Sequence, residues 1–232
     1  MTKLILLAAG RGSRLKFMTN DIPKCLNVYQ EKTLLQHILD RAADVEPEFE
    51  EIILVGGYKW ESLIPYGHTL LVNPNWNSTG PIGSLEVADR YLLEGDCVVS
   101  YTDIFFSLNF LQSCIGAKGE VFVPSNRNFL ESWSSRQVNL LKDLESFKCR
   151  NGLILDIGKE IEDIESIQGQ FAGLVRISPS AWSTLKASLR YEILSKLDFT
   201  SAIQKTIELG IEVSTVQVDG FWREFDEVSD FA

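Results

Sequence analysis

The stretch that most constrains this chain is its first 26 residues, where a wholly apolar run meets a loop almost stripped of side chains. Leu4 to Ala9 contain no polar residue, and an apolar run without alternation fits a strand buried on both faces, as in a parallel sheet. Ala8, Ala9, Gly10, Gly12 and Ser13 then remove bulk, so a ligand can approach the backbone and successive N–H groups can converge on an anion. Arg11 and Arg14 add fixed positive charge beside them. Pro23 stiffens the chain just before Lys24, whose ammonium is a compact point charge. A phosphate chain is the implied ligand.

Two common glycine motifs do not explain the loop. A dinucleotide fingerprint needs a third glycine where Leu15 stands, and a P-loop needs a closing Gly-Lys-Ser/Thr that is absent. The anion must also be held locally, because a net charge of −10 excludes a general affinity for nucleic acid or anionic membranes. With 232 residues, 45% of them apolar, and no linker or repeat, the chain is expected to form one domain, 1–232. Cys25, Cys97, Cys114 and Cys149 form no Cys-x-x-Cys pair and read as reduced, packed thiols. The start is too short and badly flanked for a signal peptide and no apolar run approaches a membrane span, so the cytoplasm is the expected compartment.

Further along, Thr33 can cap a helix carrying Leu34, Leu35, Ile38, Leu39 and Ala42, and His37 on it reads as a satisfied helix histidine. Ile52–Val55, Thr69–Val72 and Asp96–Tyr101 read as buried strands, and their alternation with helices predicts a parallel sheet. The polar loop Asn73–Leu85 is suited to reading a base and is expected to open into a helix over Ser84–Leu93. Thr102-Asp103 follows a strand at the ligand-facing edge, where a carboxylate can hold Mg²⁺ or merely cap a segment beginning near Ser107. Val121–Pro124 is a further strand. Gln137–Leu144 and Gly152–Ile157 read as a meander turning at Cys149–Gly152, and Glu160–Glu165 as a solvated face. Gln168–Ile177 reads as one strand whose glycine admits a close neighbour. Helices are expected over Ala181–Leu189 and Phe199–Leu209, the second capped by Asp198, before a strand at Ile211–Val218. If the closing segment is extended, Glu224 and Asp226 share a face while Phe225 packs on the other.

Leu-Ala-Ala-Gly-Arg-Gly-Ser-Arg-Leu followed nine residues later by Lys24, then Ser84-Leu85, Asp103 and Trp222-x-Glu224-x-Asp226, resembles the sugar-phosphate-type nucleotidyltransferases. The length and the Trp-Arg-Glu-Phe-Asp ending look most like their small cytidylyltransferase branch, which acts on phosphocholine, phosphonates or phosphoglutamine. The resemblance implies an α/β three-layer sandwich around a central mixed, mostly parallel sheet. It implies Mg²⁺-dependent transfer of CMP from CTP to a small phosphorylated or phosphonate acceptor with release of pyrophosphate, the conjugate serving surface-polysaccharide decoration. Neither nucleic acid nor membrane is a partner, and a homo-oligomer stays open. Arg14 and Lys24 would be catalytic. Leu7, Ala8, Ala9, Gly10, Arg11, Gly12, Ser13, Ser78, Thr79, Gly80, Ser84 and Thr102 would bind the nucleotide. Asp103, Asp226 and Glu224 would hold the metal, and Gly173 and Trp222 would meet the acceptor. Residues 1–120 would mainly serve the nucleotide and 121–232 the acceptor. Gly80-Pro81 departs from the pattern. A sugar-1-phosphate uridylyl- or thymidylyltransferase and a non-catalytic regulatory member of the fold are the alternatives.

Overall fold

The computed structural model describes residues 1–134 and 144–231. Its strands are β1 (Lys3–Ala8), β2 (Val28–Tyr29), β3 (Lys32–Thr33), β4 (Ile52–Gly56), β5 (Thr69–Val72), β6 (Cys97–Tyr101) and β7 (Ile104–Phe106). There follow β8 (Val121–Asn126), β9 (Phe147–Arg150), β10 (Leu153–Ile157), β11 (Gln170–Phe171), β12 (Leu174–Ile177), β13 (Val213–Val218) and β14 (Trp222–Glu224). The main sheet runs β5-β4-β1-β6-β12-β8-β13-β10-β9, with β11 paired to β8.

As its apolar run predicts, β1 is central, paired in parallel with both β4 and β6. Leu4, Ile5 and Leu6 are fully buried. Alternate residues serve opposite layers. Ile5 and Leu7 pack with Leu85, Trp182 and Ile203 on one face, and Leu4 and Leu6 with Leu35, Ile38 and Phe110 on the other. The parallel order holds from β5 to β6 and again between β8 and β13. β12 runs antiparallel to β6 and β8, and β10 antiparallel to β13 and β9, so the sheet is mixed and its parallel character is concentrated in the N-terminal half.

Local rules place several elements as expected. Thr33 accepts the Gln36 N–H to cap the helix Leu34–Ala43, and Asp198 accepts the Ser201 N–H to cap Phe199–Glu208. Asn151 (φ 54°) and Gly152 (φ 75°) make the two-residue turn between β9 and β10, a geometry that needs positive φ twice.

Other expectations are corrected. The helix expected from Ser84 begins at Pro81, because extended Gly80 caps it and proline at the first position lacks only an N–H that would have no helical partner. It ends at Leu85, and a 3₁₀ turn Glu86–Ala88 separates it from a second helix, Asp89–Glu94. Asp103 caps no helix: β7 follows it directly, and the next helix, Asn109–Ile115, has Leu108 at its cap. The strand expected over Gln168–Ile177 is split into β11 and β12 around Gly173 (φ 79°). The strand expected over Gln137–Leu144 lies outside the described residues except for Leu144, which is buried in the core.

Candidate active site

The site is assembled where β1 and β6 end side by side. Thr102 donates its hydroxyl to the Leu7 carbonyl (2.7 Å), clamping the two strand ends together and aiming Asp103 past them. β14 pairs with β7 in antiparallel register, and the Phe225 N–H donates to the Asp103 carbonyl (2.9 Å). That pairing carries the C-terminal acids to Asp103. Phe225 is fully buried against Tyr29 and Phe231, which leaves Glu224 and Asp226 on the opposite face, as alternation predicts. Asp230, 3% exposed, accepts the N–H groups of Asp226 and Glu227 (2.7 and 2.8 Å) and fixes that turn.

Carboxylate oxygens of Asp103, Glu224 and Asp226 all lie within 4.8 Å of one another. The Lys24 ammonium donates to Asp103 (2.7 Å) and Asp226 (2.6 Å), and the Arg14 guanidinium pairs with Asp226 at 3.2 Å. Burial alone would lower the pKa of Lys24, but the two carboxylates outweigh it and hold the ammonium well above its ordinary value. Asp103 Oδ1 is buried and makes no hydrogen bond. An unsatisfied oxygen in an all-oxygen set fits a hard cation such as Mg²⁺, and the metal-capable cluster among the described residues is made of carboxylates alone.

The residues of the loop expected to take phosphates behave unequally. Gly10 has nothing within 4 Å of a Cβ position and is open, as expected. Gly12 is left-handed (φ 71°), and a Cβ there would lie 2.8–2.9 Å from the Lys24 stem. Its missing side chain therefore makes room for this chain's own lysine. Ser13–Thr19 is a 3₁₀ segment kinked at Lys16, anchored by buried Leu15 and Thr19, the latter donating to the Gly12 carbonyl (3.2 Å). Gly10, Arg11, Ser13 and Arg14 are exposed.

At the end of β5, Asn73 is 2% exposed; its amide donates to Thr79 (2.9 Å) and Ser84 (3.0 Å), and its oxygen accepts the Asn75 N–H (2.9 Å). Thr79 and Ser84 thus give their hydroxyls to the loop's internal frame. From outside, the Gly80 N–H donates to the Ser195 carbonyl (2.7 Å), and Lys196 donates to the Ser78 carbonyl. A Cβ on Gly80 would meet the carbonyl oxygens of Lys196 and Leu197 at 2.7 Å, which accounts for the glycine that departed from the pattern. The two loops touch through Tyr58: its N–H donates to Ala9 (2.9 Å), Arg11 lies 5.4 Å over its ring, and its edge meets Trp76 at 5.3 Å. Asn73, Tyr58, Trp76 and Asp230 were not singled out by the sequence. Asn73 and Trp76 lie within the loop expected to read a base, and Gly57, where a Cβ would strike Trp76 at 2.5 Å, precedes Tyr58.

The residues expected at the acceptor both have partners inside the protein. Trp222 is 5% exposed and donates its indole N–H to the Ala172 carbonyl (2.9 Å), and the neighbour that Gly173 admits is Ile104, 2.9 Å from a Cβ position. Thr102, expected at the nucleotide, is buried in the strand clamp. The Cys25 thiol is buried and pushed up to about 12 by that burial, so it is a packing residue.

This fold and this juxtaposition of an anion-ready loop with acids at the strand ends define an enzyme that transfers nucleotidyl groups. Residues 4–154 match the MobA-like NTP transferase domain, and the chain belongs to that family. It is similar to the CTP:phosphoglutamine cytidylyltransferase of Campylobacter jejuni, 30% identical over 97% of this chain and 96% of the relative. Among solved structures, the inositol-1-phosphate CTP transferase of T. maritima superposes with a TM-score of 0.80 at 20% identity, covering 99% of this chain and 91% of that one. The CTP:phosphocholine cytidylyltransferase of Streptococcus pneumoniae superposes with a TM-score of 0.75 at 18% identity, covering 99% and 96%.

Proposed function

We propose that the protein is a Mg²⁺-dependent cytidylyltransferase that moves CMP from CTP to a small phosphorylated or phosphonate acceptor and releases pyrophosphate. The observation that carries this reading is the ion cluster of Lys24 and Arg14 with Asp103, Glu224 and Asp226 beside an open glycine loop. An acceptor phosphate already bears a nucleophilic oxygen, so no general base is needed. One bond forms from that oxygen to the α-phosphorus, and the bond from the α-phosphorus to the bridging oxygen of pyrophosphate breaks. Positioning and charge neutralisation suffice for such a transfer.

In this reading Arg14 and the N–H groups of residues 10–14 hold the departing pyrophosphate. Lys24 neutralises the α-phosphate or the acceptor, and Asp103, Asp226 and Glu224 hold Mg²⁺, which when bound supplies further neutralisation of the phosphates. The loop at 73–84 reads the base through its backbone and Asn75, framed by Asn73. Residues 1–120 serve mainly the nucleotide and 121–232 mainly the acceptor. The similarity to a phosphoglutamine enzyme supports both the cytosine base and a small phosphorylated acceptor. A CDP-linked acceptor of this kind is an activated group for decorating a surface polysaccharide, and its synthesis belongs in the cytoplasm, where CTP is made. Among the described residues no helix is long and apolar enough to cross a membrane.

Pyrophosphate release should be measured with CTP, UTP, dTTP, ATP and GTP against phosphocholine, 2-aminoethylphosphonate, phosphoglutamine and glucose 1-phosphate. The expected result is the highest kcat/KM with CTP and one of the first three acceptors. A purine nucleotide or a sugar phosphate with UTP or dTTP giving the highest value would overturn the assignment.

A further inference from the structure

We propose that Lys24 is the resting occupant of the cation site, so that a divalent metal enters only together with a nucleotide whose phosphates draw the ammonium away. This rests on the reading of Asp103, Glu224 and Asp226 as the metal-binding acids. The Lys24 ammonium donates to two of the three carboxylates at 2.7 and 2.6 Å, and its side chain is only 12% exposed. A bare divalent ion has to settle on carboxylates already bonded to an ammonium and then remain beside that like charge. Neither step is helped by solvent, because water screens a buried group poorly.

The position of the lysine stem explains how the site opens. It lies across Gly12, inside the loop proposed to receive the phosphates. A nucleotide there presents a new anion within reach of the same flexible four-carbon stem, so the ammonium changes partners by rotating its end rather than by moving backbone. Arg14 is the looser of the two cations, 3.2 Å from Asp226 and 70% exposed, and can leave first. The acids exchange an ammonium for a metal while the phosphates gain the ammonium, so every charge stays paired. Asp103 Oδ1, buried without a partner, remains as the oxygen that no protein cation claims.

Mn²⁺ binding without nucleotide tests the lock, read by the loss of the free-ion signal in electron paramagnetic resonance. Lys24→Met should bind one Mn²⁺ at least about 10-fold more tightly than wild type, the scale of a charge contact worth one decade. Lys24→Arg, which keeps the charge, should stay like wild type, and Asp103→Asn added to Lys24→Met should abolish the gain. If Lys24→Met lacks the wild-type circular dichroism spectrum, Lys24→Gln takes its place. Wild type binding Mn²⁺ as tightly as Lys24→Met, with both affinities lost on Asp103→Asn, would overturn the lock and leave the metal-site reading intact. No Mn²⁺ binding by Lys24→Met, or binding that survives Asp103→Asn, would overturn the metal site and the lock together.

Discussion

The two loops at the strand ends solve opposite problems. The loop after β5 is finished before any ligand arrives: Asn73 satisfies three of its groups from inside, and Ser195 and Lys196 tie it from outside. The loop after β1 is held by Leu15, Thr19, Tyr58 and the salt bridges of Lys24 and Arg14, with Gly10 facing open space. A preorganised frame loses little entropy on binding and confers selectivity, whereas an exposed, lightly held cation such as Arg14 gains most from an incoming anion. Substitutions in the first loop should therefore cost stability, and substitutions in the second should cost turnover.

The largest effect is expected at the acids that face the second loop. Asp103→Asn and Asp226→Asn should each lower turnover by about 10²–10³, the range for losing one charge-stabilising group, with the wild-type circular dichroism spectrum kept. A rate within ten-fold of wild type at saturating Mg²⁺ would break the contrast. Next, Lys24→Ala and Arg14→Ala should each lower kcat by at least about ten-fold without unfolding the chain, the effect being greater for the more buried Lys24. Steady-state rates beside thermal melts separate the two outcomes.

A matched glycine pair sharpens the comparison. Gly80→Ala should destabilise by about 1–3 kcal/mol, because the new methyl meets two backbone carbonyls that cannot yield. Gly10→Ala should change stability by less than about 0.5 kcal/mol while weakening nucleotide binding. Equal melting shifts for the two would remove the distinction.

The smallest effect concerns the thiols, which belong to neither loop. Burial pushes Cys25, Cys97 and Cys114 up to about 12. Holding them protonated contributes stability that is fully present below pH 9, their ordinary value, and is lost as the pH rises towards 12. At pH 8 only the half-buried Cys149 should react with an aromatic disulfide reagent, with the other three reacting after unfolding. Inactivation through Cys25 at pH 8 would contradict its packing role.

Much of the first half was legible because its rules are local. Apolar runs gave β1, β4, β5 and β6, Thr33 its helix, and Asn151-Gly152 its turn. The resemblance led to the acids, but their meeting depends on β7, a strand of three residues that is too short to stand out. Pairing with it brings Asp226 to Asp103. The reasons for Gly80, Thr102 and Trp222 were not legible, since each lies in a tertiary contact: with the 195–197 backbone, the Leu7 carbonyl and the Ala172 carbonyl respectively. Such contacts link residues far apart in sequence, and the spacing of a motif carries no record of them.

The tie between residues 80–82 and 195–197 joins parts of the chain far apart in sequence through main-chain hydrogen bonds, whose donors only proline would remove. Anyone recombining this enzyme with a relative to change its nucleotide or acceptor should treat these two segments as one inherited cassette. A crossover between them would pair the loop of one parent with a buttress cut for another. A crossover that keeps both segments from the same parent leaves that seam whole.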